Sequence, residues 1–80
     1  MPIYTPDEKA EALERVQSHF DLLEKRKTAE EINHGVSFVQ GFVTCLLRTG
    51  CLTDTEHDAW ITLLRETGAR KLEELSASPE

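Results

Sequence analysis

The chain has 80 residues, nine basic and fifteen acidic, for a net charge of −6 and a hydrophobic content of 39%. That length allows one domain with a single modest core, and the apolar content is sufficient to fold it, which argues against global disorder. The acidic balance argues against direct nucleic-acid binding, because affinity for a phosphate backbone comes mostly from clustered Lys and Arg.

The segment before the first apolar stripe has no cationic start followed by an apolar run, so no signal peptide is expected. No apolar run approaches the roughly 18 residues of a membrane span. Two cysteines without a secretory signature fit a reducing cytoplasm, the expected location.

Three sites share one helix-start pattern: Thr5-Pro-Asp-Glu8, Thr28-Ala-Glu-Glu31 and Thr53-Asp-Thr-Glu56. In each, Thr stands at a potential N-cap, its hydroxyl accepting from the amide three residues on. The Glu at that third position can reach back to the amide of the Thr. The first box opens a helix expected over 6–27, with Pro6 at N1, where its missing N–H is harmless. Its apolar stripe is Leu13, Val16, Phe20 and Leu23. Asp7, Glu8, Glu11 and Glu14 near its start and Lys25, Arg26 and Lys27 near its end complement the helix dipole.

The second box opens a helix expected over 29–49, with Gly50 placed for a left-handed C-terminal cap. Nothing between Arg26 and Ala29 forces a break, and one continuous helix through Thr28 is the alternative; the capping box favours the break. On this second helix Ile32, Val36, Phe38, Val39, Phe42, Val43, Cys45, Leu46 and Leu47 fill an arc of roughly 200°, about twice what a helix packed on one side requires. Val39, Phe42, Val43 and Leu46 are the expected central core. The rest of the arc is covered from a second side or awaits a partner. The opposite face is an uncharged ribbon of Asn33, Ser37, Gln40 and Thr44, ending at Arg48. An uncharged strip beside apolar residues resembles an interface more than a solvated face. Gly35, at the edge of the arc, permits close approach of another helix, whereas Gly41 on the polar side has no packing role visible in the sequence.

The third box opens a helix expected over 54–67, burying Trp60, Leu63 and Leu64, with Gly68 as its stop. A short fourth helix is expected over 69–75, burying Leu72 and Leu75, followed by a flexible tail at 76–80. The fold class is therefore all-α: a small bundle of three main helices and a short C-terminal fourth, in one domain spanning 1–80.

Catalytic and metal signatures are sparse. Cys45, Cys51 and His57 are separated in succession by five intervening residues, unlike the two to four usual between structural zinc cysteines, and a fourth ligand would have to come from His19 or His34. No metal, cofactor or disulfide is expected. His57 has Asp54 and Asp58 nearby, but no nucleophile is tied to it in sequence. A helix-turn-helix reading of the turn from Arg48 to Thr53 would place Asp54, Glu56 and Asp58 where base edges should be met, which phosphate repulsion opposes. No enzymatic activity is expected.

The segment Gly50-Cys-Leu-Thr-Asp-Thr-Glu-His-Asp-Ala-Trp-Ile-Thr-Leu-Leu64 resembles a G-x-L-T-x-x-E-x-x-x-W-x-x-L ending found in small helical proteins encoded by phages and plasmids. That class includes anti-CRISPR and other host-defence inhibitors. The resemblance implies a protein that binds a host protein and blocks its nucleic-acid site or its assembly, and it carries no catalytic residue. The expected function is thus a non-enzymatic inhibitor or adaptor acting on a host protein with a basic surface. The alternative is a homodimeric regulatory or assembly protein. Two partner surfaces compete, and the first is the expected partner site, because an inhibitor of a nucleic-acid-binding protein meets a basic groove; the second is the alternative. One is the acidic set Asp54, Glu56, Asp58, Asp7, Glu8, Glu11 and Glu14. The other is the ribbon of Asn33, Ser37, Gln40, Thr44 and Arg48. A possible homodimer would bury part of the first or second helix, since an 80-residue chain covers a wide apolar arc with difficulty.

Overall fold

The structure is a computed structural model describing residues 4–77. It contains three helices, α1 (Pro6–Glu24), α2 (Ala29–Arg48) and α3 (Asp54–Ala77), and no strand among the described residues. Two of the three capping boxes close completely. Thr5 Oγ1 accepts from the Glu8 amide at 3.1 Å while Glu8 Oε1 accepts from the Thr5 amide at 2.9 Å. Thr53 and Glu56 repeat the arrangement at 3.1 and 2.9 Å. The middle box is half made. Thr28 Oγ1 accepts from the Glu31 amide at 3.1 Å, but the Glu31 carboxylate takes the Lys27 amide instead, at 3.2 Å.

Bound to Glu31, the Lys27 amide lies outside α1. α1 ends at Glu24 rather than Lys27, and Lys25, Arg26 and Lys27 lie beyond its last turn. Thr28 is extended at φ −123°, ψ 154°, as an N-cap must be, and the chain reverses over the residues before it. The cation that meets the end of α1 comes from α3: Lys71 Nζ donates to the Glu24 carbonyl at 2.8 Å. An orphan carbonyl of α1 is thereby satisfied by a charge suited to a helix C-terminus. Arg70 adds an ion pair to the Glu24 side chain.

α2 ends in a Schellman motif. The Cys51 amide donates to the Leu46 carbonyl at 2.8 Å and the Gly50 amide to the Leu47 carbonyl at 3.1 Å. Gly50 has φ +87°, the only positive φ among the described residues, a conformation in which a Cβ is strained. The motif turns Cys51 and Leu52 into the core, where both are buried.

Cross-helix pairs set the topology. Lys9 on α1 meets Glu56 on α3 at 3.0 Å, and Glu24 near the end of α1 meets Arg70. α1 and α3 therefore run parallel, with α2 antiparallel between them. The core is one cluster: Val16, Phe20 and Leu23 from α1, Ile32, Val39, Val43 and Leu46 from α2, Cys51 and Leu52 from the turn, and Leu64 from α3. Trp60 packs on Phe20 with ring centroids 5.4 Å apart.

The three-helix bundle agrees with the sequence reading, but the C-terminal part does not. No stop occurs at Gly68 and no separate fourth helix follows; α3 runs without interruption to Ala77, so Ser76 and Ala77 are helical rather than tail, and 78–80 lie outside the described residues. Gly68 is buried and helical, and a Cβ placed on it would come 2.9 Å from Val36 Cγ2. Its glycine serves the contact of α3 with α2, and the good helix formers after it continue the helix. Leu63, expected inside, is 45% exposed, while Leu64 beside it is 1% exposed. Phe42 and Trp60 are half-buried at the core edge rather than enclosed. Cys45 and Phe38, both on the apolar arc, are exposed. Gly35 behaves as expected: a Cβ there would meet Leu23 Cδ1 at 3.0 Å.

Candidate functional site

The acidic set divides. Glu8 and Glu56 are engaged in capping boxes, and Glu56 also binds Lys9 through both carboxylate oxygens at 3.0 Å. The Thr53 amide and, next, the Lys9 ammonium hold the Glu56 carboxyl below its ordinary pKa. Glu11 sits 3.9 Å from Arg15. Asp58 lies 3.4 Å from His57 on the flank of α3 that faces α2, whereas Glu56 faces α1. Asp7, Glu14 and Asp54 are exposed. The seven carboxylates thus share helix starts without converging on one face.

His57 does find a hydroxyl across the α2–α3 seam. Thr44 Oγ1 lies 3.3 Å from its Nε2, and Asp58 Oδ1 lies 3.4 Å from its Nδ1. Sequence reading missed this row because Thr44 and His57 sit on different helices with nothing local linking them. The order hydroxyl, imidazole, carboxylate is that of a hydrolytic triad. Its geometry is that of a seam contact: both distances are at the long limit for a hydrogen bond, and Asp58 is solvated. The amides around Thr44 donate within α2, leaving none to hold an oxyanion. Cys51, buried under the turn, has its thiol pushed up by burial. Among the described residues no group of three or more His, Cys, Asp or Glu side chains gathers where a metal could be held. No helix among them is long and apolar enough to cross a membrane.

The ribbon is placed as the sequence implied. Asn33, Ser37, Gln40 and Arg48 are exposed and Thr44 is half-buried by His57, so the neighbouring helices do not cover the strip. Ser37, Gln40, Gly41, Thr44, Cys45 and Arg48 form one shallow surface. From Ile32 to Leu47 there is no Asp, Glu, Lys or Arg, so the outward side of α2 is uncharged between its two ends, in a chain that is 30% charged.

This side continues into a groove between α1 and α2, lined at one end by Leu22, Arg26, His34 and Phe38 and at the other by Glu8, Glu11, Ala12 and Phe42. Phe38 is 55% exposed and Leu22 49% exposed. His19 bridges the middle, its ring 4.8 Å from that of Phe38 and 5.5 Å from that of Phe42. Leu22 and His19 were not among the expected site residues. The available signal was a leucine beside the α1 stripe that the stripe did not need. No family model, curated protein or solved structure matches this chain.

Proposed function

We propose that this chain is a non-enzymatic protein-binding module, an inhibitor or adaptor, and that it engages its partner through the outward side of α2 and the adjoining α1–α2 groove. The observation that carries this reading is Phe38. An aromatic ring left more than half exposed beside exposed Leu22 and an uncharged helix face has the composition of an interface centre, aromatic and depleted of charge. Burying the exposed half of the Phe38 ring contributes roughly 1–1.5 kcal/mol, at or above what an exposed ion pair supplies. The resemblance to phage- and plasmid-encoded inhibitors fits this reading but does not select the partner.

A second reading keeps the acidic set as the face offered to a basic host protein. It is favoured by Asp7, Glu14 and Asp54, which are exposed and have no ion-pair partner among the described residues.

Capture from the native host separates the two. Tagged wild type, Ser37→Arg, Phe38→Glu and the Asp54→Lys/Asp58→Lys double variant are compared at low salt and at about 0.5 M, where exposed charges are screened. On the first reading the captured protein is lost with Ser37→Arg and Phe38→Glu and retained by the double reversal at both salts. Loss with the double reversal at low salt, together with wild-type capture that weakens at about 0.5 M, supports the acidic face instead.

A further inference from the structure

We infer that, when no host partner is bound, the α1–α2 groove is occupied by a second copy of this chain, packed across it as an antiparallel two-fold dimer with α1 against α1 and α2 against α2; this rests on reading that face as an interface. The groove has opposite polarity at its two ends. Glu8 and Glu11 line one, with Arg15 held loosely to Glu11 at 3.9 Å; Arg26 and His34 line the other. An antiparallel copy sets the acidic end of each chain against Arg26 of the other. A parallel copy would set Glu against Glu and Arg against Arg, which like-charge repulsion opposes.

Gly41 supplies a second observation. It is exposed in the middle of α2, and a Cβ built there meets nothing within 4 Å, so no contact inside the chain calls for a glycine. Three residues away, Phe38 is 55% exposed, with one side of its ring against His19 and the rest open to solvent. Two antiparallel α2 helices centred between these positions place the Phe38 ring of each copy over the Gly41 of the other. The bare backbone there admits the ring. The registers of the two helices agree: His19 touches both Phe38 and Phe42, so the same level on α1 is near His19. A two-fold axis there carries Glu11 of one copy to about the level of Arg26 of the other.

The area is sufficient. The 19 residues of α1 span about 28 Å at 1.5 Å per residue. Two helices packed 8–10 Å apart present a face roughly 20 Å wide, giving on the order of 500 Å² per copy and about 1,000 Å² in total. That is the lower edge of specific interfaces, the size of weak or transient associations rather than permanent ones.

Sedimentation equilibrium tests the inference, with circular dichroism confirming that each variant remains helical; every substituted position is exposed. Between about 5 and 200 µM, wild type moves from the 9.1 kDa chain mass towards twice that value. Phe38→Glu and Gly41→Glu stay at the chain mass. Glu11→Arg and Arg26→Glu each raise the dissociation constant roughly tenfold, and the double reversal returns it to within about threefold of wild type. A wild-type monomer throughout, or a dimer indifferent to Phe38→Glu and Gly41→Glu, overturns the proposal. A double reversal that recovers nothing overturns the antiparallel arrangement. If wild type is monomeric while Phe38→Glu abolishes capture of a host protein, the homodimer fails and the protein-binding reading stands. If capture is indifferent to Phe38→Glu, that reading fails as well.

Discussion

Two glycines in the interior of helices should respond to alanine in opposite ways. At both Gly41 and Gly68, alanine gains about 1 kcal/mol of helix propensity. At Gly41 the new methyl meets nothing within 4 Å, so the gain is realised in full. For a domain of this length that corresponds to a rise in Tm of roughly 4–8 °C. At Gly68 the methyl would lie 2.9 Å from Val36 Cγ2. Valine in a helix has one strongly preferred χ1, so its methyl cannot swing away and the helices must part. Overpacking of this kind costs about 1–3 kcal/mol, so Gly68→Ala comes out between neutral and about 2 kcal/mol destabilised. Val36→Ala removes the obstacle. In that background Gly68→Ala should stabilise by about 1 kcal/mol, a coupling of roughly 1–3 kcal/mol between the positions. The assay is urea denaturation followed by circular dichroism, on the four chains of the cycle and on Gly41→Ala, at concentrations low enough to keep association negligible. Equal shifts at the two glycines, or a Gly68→Ala effect unchanged by Val36→Ala, would refute the claim that Gly68 is kept for the α2–α3 approach.

Neighbouring leucines give a second contrast. Leu64→Ala should cost about 2–5 kcal/mol and Leu63→Ala only about 1 kcal/mol, read from denaturation midpoints; similar losses would misplace α3 in rotation. The Glu56 cap and its Lys9 bridge predict a pH dependence of definite sign. Because the folded carboxyl titrates below its ordinary value, its contribution is present above the ordinary Glu pKa of about 4.3 and is lost as pH falls through the lowered one. Wild type should therefore exceed Glu56→Gln by about 0.2–1 kcal/mol at pH 7, with the difference vanishing in acid, measured as urea midpoints across that range. A difference that persists in acid would contradict the assignment.

Helix starts were legible because Thr and Glu three residues apart solve a local problem, the unpaired amides of the first turn, and local problems leave local patterns. Gly50 was legible for the same reason. Gly68 was not: a glycine after an amphipathic run reads as a C-terminal cap, and only the position of Val36 on another helix distinguishes a stop from a close approach. The end of α1 was misplaced for a related reason. Lys25, Arg26 and Lys27 matched the dipole, but the extended Thr28 and the reversal before it required those residues outside the helix. Leu63 and Leu64 differ only in the rotation of α3, which depends on contacts from both other helices. At the candidate site the uncharged ribbon was visible as a stripe. The division of the carboxylates between flanks, and the groove with His19 and Leu22 along it, depend on how α1 and α2 lie together.

Whether a second copy covers the α1–α2 face is reported by a native residue. Cys45 is exposed in the single chain, and the antiparallel register places it beside His34 of the other copy; Cys51 is buried and serves as an internal control for unfolding. The measurement is the rate of Cys45 alkylation, per unit reagent, from about 1 to 200 µM protein, with site assignment by mass spectrometry. A dimer through this face gives fast labelling at low concentration and a several-fold slowing at high concentration, with Cys51 slow throughout and Phe38→Glu fast at every concentration. A Cys45 rate independent of protein concentration, identical in wild type and Phe38→Glu, would contradict it.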